Sequence, residues 1–223
     1  MELQQVNENS VLIKFGNDID VGLPSQIQSA CSAIKQRFVR NVRDLTPSYT
    51  TLLVEFVEVP DLTELRTVLV DVAQATPISP HSPPVVIPGY YHQAAYTDLD
   101  KTAASLKLTP AELIHLHTST HYTVCAIGFM PGFGFMAELP PSLVLPRLST
   151  PKRVNAGSIA IADRQTAVYP SESPGGWHVL GLCPLPLFDK QSPQDSLLKV
   201  GMQVRFESIS REQYFERLEA EKC

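Results

Sequence analysis

Hydrophobic positions divide the chain into two parts with different rhythms. Val11-Leu12-Ile13-Lys14-Phe15 predicts a short strand, and Leu23, Ile27, Cys31, Ile34 and Phe38 then recur every three or four residues, as on one helical face. Thr50 to Val57 is rich in β-branched and apolar residues, the pattern of a buried strand. Asp61 precedes Glu64 by three positions, a capping-box-like start, and Leu65, Leu69 and Val72 continue that helical face. The order strand, helix, strands, helix predicts a ferredoxin-like α/β sandwich over residues 1–76.

Residues 77–84 break the pattern. Thr76 to Pro84 holds four prolines in nine residues, which excludes helix and suits an extended linker. Val85-Val86-Ile87 restarts as a strand, Asp98 to Leu106 reads as helix, and Thr109-Pro110-Ala111-Glu112 carries a cap, a first-turn proline and a capping glutamate. That helix is expected to run to about Thr118, and Ser210-Arg211-Glu212-Gln213 opens another, with Tyr214 and Leu218 on one face. From His121 to Phe188 only seven of 68 residues are charged, while seven of the eleven glycines and nine of the nineteen prolines fall there. Such a segment predicts buried short strands joined by shaped loops. Ser158 to Ala162, Thr166 to Tyr169, Trp177 to Leu180 and Val204 to Phe206 are the expected strands, and residues 85–223 the expected irregular β-barrel or sandwich. The fold class is α+β.

Composition narrows the function. With 223 residues and a net charge of −5, the chain is long enough for real cores and lacks the basic stripe that nucleic acid requires. Cys31, Cys125, Cys183 and Cys223 are scattered and read as reduced thiols. The start of the chain has neither the basic residues nor the apolar run of a signal peptide, and no apolar run reaches eighteen residues, so a cytoplasmic protein is expected, with no membrane partner.

Several chemistries lack their motif. No P-loop occurs. Gly132-Phe133-Gly134-Phe135-Met136-Ala137 matches a loose dinucleotide fingerprint, yet Glu138-Leu139-Pro140-Pro141 stands where its helix is needed. His115, His117 and His121 cannot all share a helical face, and no carboxylate lies nearby in sequence, so no metal is expected. There is no serine-hydrolase elbow, and Gly157-Ser158 leads into a strand. Two segments invite a pocket. Gly128 to Phe135 places three aromatic rings among glycines, and Tyr169 to Trp177 holds paired glycines and the single tryptophan. Each is equally a plain hydrophobic turn or wide loop. Lys152 and Arg153 are either an anion clamp or a solvated pair.

Four ordered motifs go further. They are Glu112-Leu113-Ile114-His115-Leu116-His117, Gly128-Phe129-Met130-Pro131-Gly132-Phe133, Pro151 to Ile159, and Gln165 to Trp177. Through them the sequence resembles the 5-oxoprolinase B-subunit family, also called the allophanate hydrolase subunit 1 or Kip kinase-inhibitor family. Gly134-Phe135-Met136, Asn155 and Asp163-Arg164 depart from its usual residues. The resemblance implies a C-terminal cyclophilin-like β-barrel after the ferredoxin-like sandwich. It further implies one component of an ATP-dependent 5-oxoprolinase, inactive alone and working with the C and A subunits of that enzyme. The complex opens 5-oxo-L-proline to L-glutamate, and ATP is its co-substrate. The alternative the family name carries is a regulator that binds a sensor histidine kinase and blocks its autophosphorylation. On the enzyme reading the substrate pocket is walled by Phe129, Pro131, Gly132 and Phe133 on one side and Ser173, Pro174, Gly175, Gly176 and Trp177 on the other. Arg153 is the expected anion anchor, Gln165 and Tyr169 supply hydrogen bonds, and Ala156, Gly157, Ser158 and Thr166 complete the lining. No residue is singled out as a catalytic base.

Overall fold

A computed structural model describes residues 1–75, 83–92, 97–192 and 196–220. Residues 77–82 of the expected linker, and Cys223, lie outside them. The chain divides into two compact units, Met1–Ser82 and Pro83–Cys223.

In the first unit, strands β1 (Glu2–Asn7), β2 (Ser10–Lys14), β3 (Val42–Pro47) and β4 (Thr51–Phe56) form an antiparallel sheet in the order β1-β2-β4-β3. Helices α1 (Leu23–Arg37) and α2 (Leu62–Gln74) complete it. Because β4 lies between β2 and β3, β2-α1-β3 is a split βαβ unit. The expected helical face is buried, with Ile27, Cys31 and Ile34 at 0–7% exposure against Val11, Ile13, Leu52, Val54 and Phe56. Asp61 caps α2 by accepting from the Thr63 and Glu64 amides, as its position before the apolar run requires. Strands β1 and β3 are the elements of this unit that the pattern did not place, and β1 shows why. It is an edge strand with only Leu3 partly buried, so it shows no two-residue rhythm to read.

The second unit is a seven-stranded sheet in the order β12-β9-β10-β7-β6-β13-β5. Its strands are β5 (Val85–Gly89), β6 (His121–Ile127), β7 (Gly134–Ala137), β9 (Ser158–Ala162), β10 (Gln165–Val168), β12 (His178–Leu182) and β13 (Gln203–Ser208). The short strands β8 (Lys152–Val154) and β11 (Ser173–Gly175) make a separate ribbon. The two edges of the large sheet meet. Just past β5, Tyr90 donates to the Leu182 carbonyl at 2.8 Å and accepts from the Leu182 amide at 2.9 Å, which brings the sheet round into a barrel-like form. Helices α3 (Leu99–Ser105) and α4 (Pro110–Ser119) pack on it, and α5 (Arg211–Ala220) follows β13. Helix α4 starts with the full capping box of Thr109 and Glu112. Mixed helices and strands with a barrel-like second sheet are what the hydrophobic pattern called for.

Gly181 sits at the meeting of the edges. A Cβ there would lie 2.7 Å from the Tyr90 carbonyl oxygen, a backbone atom that can move only by opening the two reciprocal hydrogen bonds. Gly181→Ala is therefore expected to lower stability by about 1–3 kcal/mol, the usual penalty of an overpacked buried site. Urea unfolding measures it, and a loss under half a kilocalorie would show that the seam is loose.

Candidate functional site

Strands β9 and β10 carry two different surfaces back to back. Their register pairs Ala162 with Gln165, Ile161 with Thr166, Ala160 with Ala167 and Ile159 with Val168. Side chains alternate along a strand, so Ile159, Ile161, Thr166 and Val168 face one way, and Ser158, Ala160, Ala162, Gln165, Ala167 and Tyr169 the other. The isoleucine face joins the large core with Val124, Met136, Leu180, Val204 and Phe206. The alanine face is a floor of small side chains, and the aromatic rings gather on it.

Both motif loops contribute to that gathering. Phe133, Tyr169 and Trp177 are 1–5% exposed and pack with Val154, Ala160, Ala162, Ala167 and Val179, with Phe135 beside them. Phe133 is at the centre, with ring centroids 4.7 Å from Phe135, 5.2 Å from Tyr169 and 5.8 Å from Trp177, all edge to face. Phe129 lies 5.4 Å from Phe133, has a φ of 68° and leaves 64% of its surface in solvent. Gly132 makes this turn possible. Its φ is +80°, and a Cβ would lie 2.5 Å from that of Phe188. The loop rings thus form a packed wall, with only Phe129 and Pro131 facing outward.

Polar groups on the same face have bonding capacity left over. Ser158, Gln165 and Tyr169 are 2%, 8% and 1% exposed, and none of their side chains has a hydrogen-bond partner among the described residues. Burial pushes the Tyr169 phenol up, and the nearby Arg147 charge partly offsets this. Gly175 is obligatory beside it, because a Cβ there would collide with the Tyr169 hydroxyl. Gly157, with a φ of +77°, holds the loop before β9 in place. Its amide donates to the Tyr169 carbonyl and its own carbonyl accepts from the Cys183 amide, both at 2.7 Å.

Two expected roles are corrected by placement. Thr166 points to the opposite face from Gln165 and cannot line the same surface. Arg153 does not reach the aromatic wall. Its neighbour Val154 is the residue of β8 that enters the cluster, so alternation sends Arg153 outward, 76% exposed and bound to Glu172 at 2.6 Å. Lys152, for which an anion clamp and a solvated pair were both open, is instead committed to a carboxylate. Its Nζ lies 2.6 Å from both oxygens of Asp98, which also accepts from the Val179 amide. Of the remaining expected residues, Ala156 lies on an exposed turn, while Ser173 and Pro174 form β11 opposite Val154 and Arg153.

Thr166 instead belongs to a buried chain that the spacing of the histidines did not disclose. His117 is 0% exposed, with Nδ1 2.9 Å from the Tyr91 hydroxyl and Nε2 2.8 Å from Thr166 Oγ1. Thr166 Oγ1 also lies 3.2 Å from the Ala160 carbonyl, which only accepts. Because the Ala160 carbonyl only accepts, Thr166 donates to it and His117 Nε2–H donates to Thr166; with the imidazole neutral, Tyr91 donates to Nδ1. Burial holds the His117 pKa down at about 3 and so keeps the imidazole neutral. His115 and His121 are on exposed or half-buried positions of α4 and β6, and no group of three metal-binding side chains gathers among the described residues.

The architecture is that of a carboxyltransferase-domain protein. Residues 1–198 match the family described as carboxyltransferase domain, subdomain C and D. The chain is 30% identical to the 5-oxoprolinase B subunit of Bacillus subtilis (strain 168), over 96% of this chain and 95% of that protein. It is 41% identical to the 5-oxoprolinase B subunit of Haemophilus influenzae, over 55% and 58% of the two lengths. The chain belongs to the 5-oxoprolinase B-subunit family. Among solved structures, TTHA0988 superposes with a TM-score of 0.76 at 31% identity, and the match covers 90% of this chain but 40% of that one. The Kluyveromyces lactis urea carboxylase superposes with a TM-score of 0.75 at 15% identity, covering 97% and 22%, a likeness of fold.

The neutral histidine sets a pH dependence. Unfolded histidine titrates near 6.5, so between about 6.5 and 3 the unfolded chain binds a proton that the folded chain refuses. Stability from this group is complete above about 6.5 and falls on acidification, by up to about 1.4 kcal/mol per pH unit. Urea unfolding between pH 4.5 and 7.5 should therefore show a shallower slope in His117→Gln than in wild type, whatever the variant's absolute stability. Equal slopes would mean that His117 is not held neutral.

Proposed function

We propose that this chain is the B subunit of an ATP-dependent 5-oxoprolinase, which opens the lactam of 5-oxo-L-proline to L-glutamate as ATP is hydrolysed to ADP and phosphate. The observation that carries this reading is the end-to-end match to the 5-oxoprolinase B subunit of Bacillus subtilis, over 95% of that protein. The alanine-floored face agrees with the substrate. Aromatic rings offer flat apolar contact for a small ring, while the Gln165 amide offers both a donor and an acceptor for a lactam.

The chemistry is demanding for one small polypeptide. A lactam carbonyl is a poor electrophile, and transfer of the γ-phosphoryl group to its oxygen activates the ring carbon. Water adds there, the C–N bond breaks as the nitrogen takes up a proton, and a second water releases phosphate from the acyl phosphate to leave the carboxylate. Fixed donors stabilise the charge that develops as water attacks. We assign the ATP and the remaining machinery to the complex with the C and A subunits. In support, this chain matches only 40% of the TTHA0988 chain, so in that protein the homologous part is joined to further polypeptide. Among the described residues no helix is long and apolar enough to cross a membrane, and a cytoplasmic complex fits that.

The test is reconstitution of the purified chain with its cognate A and C subunits. ADP release dependent on 5-oxo-L-proline is expected, and none from a folded, assembled mixture would end this reading. In the active mixture Gln165→Leu should lower kcat/KM about tenfold or more, because the substrate then meets an apolar wall where a hydrogen bond was due. An unchanged kcat/KM would remove Gln165 from the site.

A further inference from the structure

Arg153 is turned away from the aromatic wall, which leaves the question of which cation serves that face. Among the described residues of the second unit four cations are held in ion pairs, Arg147 with Asp163, Lys152 with Asp98, Arg153 with Glu172 and Arg164 with Glu138. They are not held alike. Both oxygens of Asp98 close on Lys152, and Arg153 leans outward. Arg147, 59% exposed, is bound through one nitrogen, as Arg153 and Arg164 also are, and what sets it apart is its place beside Tyr169. Its Nε donates to Asp163 Oδ2 at 3.1 Å, and its two Nη groups carry no hydrogen bond among the described residues. A guanidinium fixed by Nε keeps donors free for a second acceptor.

Its position is set by backbone. The Asp163 amide donates to the Leu145 carbonyl at 2.7 Å, and the Leu148 amide to the Gly176 carbonyl at 2.7 Å, so Arg147 is anchored on both sides. A Cβ on Gly176 would lie 3.8 Å from the Cβ of Arg147, while a Cβ on neighbouring Gly175 would collide with the Tyr169 hydroxyl. The paired glycines thus bring together a half-committed guanidinium and a phenol that is 1% exposed and has no bonding partner among the described residues.

Resting on the oxoprolinase reading, we propose that Arg147 and the Tyr169 hydroxyl together bind the carboxylate of a small cyclic monocarboxylate whose ring lies against the aromatic wall. The Nη donors and the phenol O–H supply hydrogen bonds to the anion, and Asp163 keeps the guanidinium oriented. Arg147 is then a specificity residue, distinguishing an acid from the same ring without one.

Trp177, the only tryptophan, reports from the same cluster, so its fluorescence in the full chain reads binding directly. The probes are 5-oxo-L-proline, acetate and the uncharged lactam 2-pyrrolidinone. Arg147→Gln should weaken both anions about tenfold or more, Tyr169→Phe a few-fold, and neither should change the affinity for 2-pyrrolidinone. Arg153→Gln should titrate as wild type. Acetate binding that depends on Arg147, with no binding of 5-oxo-L-proline, would support the anion site and count against the oxoprolinase reading. Arg147→Gln titrating as wild type for both anions, or no response of wild type to either, would overturn the proposal.

Discussion

The hydrogen-bond register between β9 and β10 governs everything described for the second unit. Pairing Ala160 with Ala167 and Ile161 with Thr166 puts every large aliphatic of these strands on one face and every small one on the other. A slip of one residue would exchange the faces, driving isoleucines under the aromatic rings and stranding Gln165 in the main core. The buried chain from Tyr91 through His117 and Thr166 to Ala160 opposes such a slip. It ties helix α4 to one particular threonine of β10 and one particular carbonyl of β9. A fully buried neutral imidazole with both nitrogens engaged has no second place to go.

The same register explains how a region so poor in charge still offers polar chemistry. Ser158, Gln165 and Tyr169 share the alanine face because they fall at the same strand phase, and the rings above them exclude most water. Hydrogen bonds formed in such surroundings are stronger than those at an open surface. Cations enter only at the rim, each oriented by a carboxylate. Lys152 and Asp98 fasten the β8–β11 ribbon to the start of α3 and to β12, a supporting role unlike that of Arg147, which Asp163 holds beside Tyr169.

How legible this was in the amino-acid sequence depended on whether a feature is local. Helices α2 and α4 were readable because Asp61, Thr109 and Glu112 act on amides within three residues. Strands β1 and β3 were not, since their half-exposed residues carry little periodicity and their pairing comes from distant β2 and β4. The two loops were recognisable as site material from their rings and glycines, and they do meet. Which residues face the meeting point was not readable for Thr166 or Arg153, because facing is decided by strand phase and by a ribbon joining positions some twenty residues apart. Arg147 gave no signal at all. It stands among prolines and leucines, and backbone bonds from Leu145 to Asp163 and from Leu148 to Gly176 bring it to Tyr169's neighbourhood.

On the proposed function, the small-residue face of β9 and β10, and no other surface of the second unit, receives the substrate. A crystal structure of the assembled complex with 5-oxo-L-proline tests this most directly. Density for the ring is predicted in contact with Tyr169 and Trp177, with its carboxylate on the Arg147 side. Density on the far side of the β8–β11 ribbon at Arg153, or in another polypeptide of the complex, would contradict it.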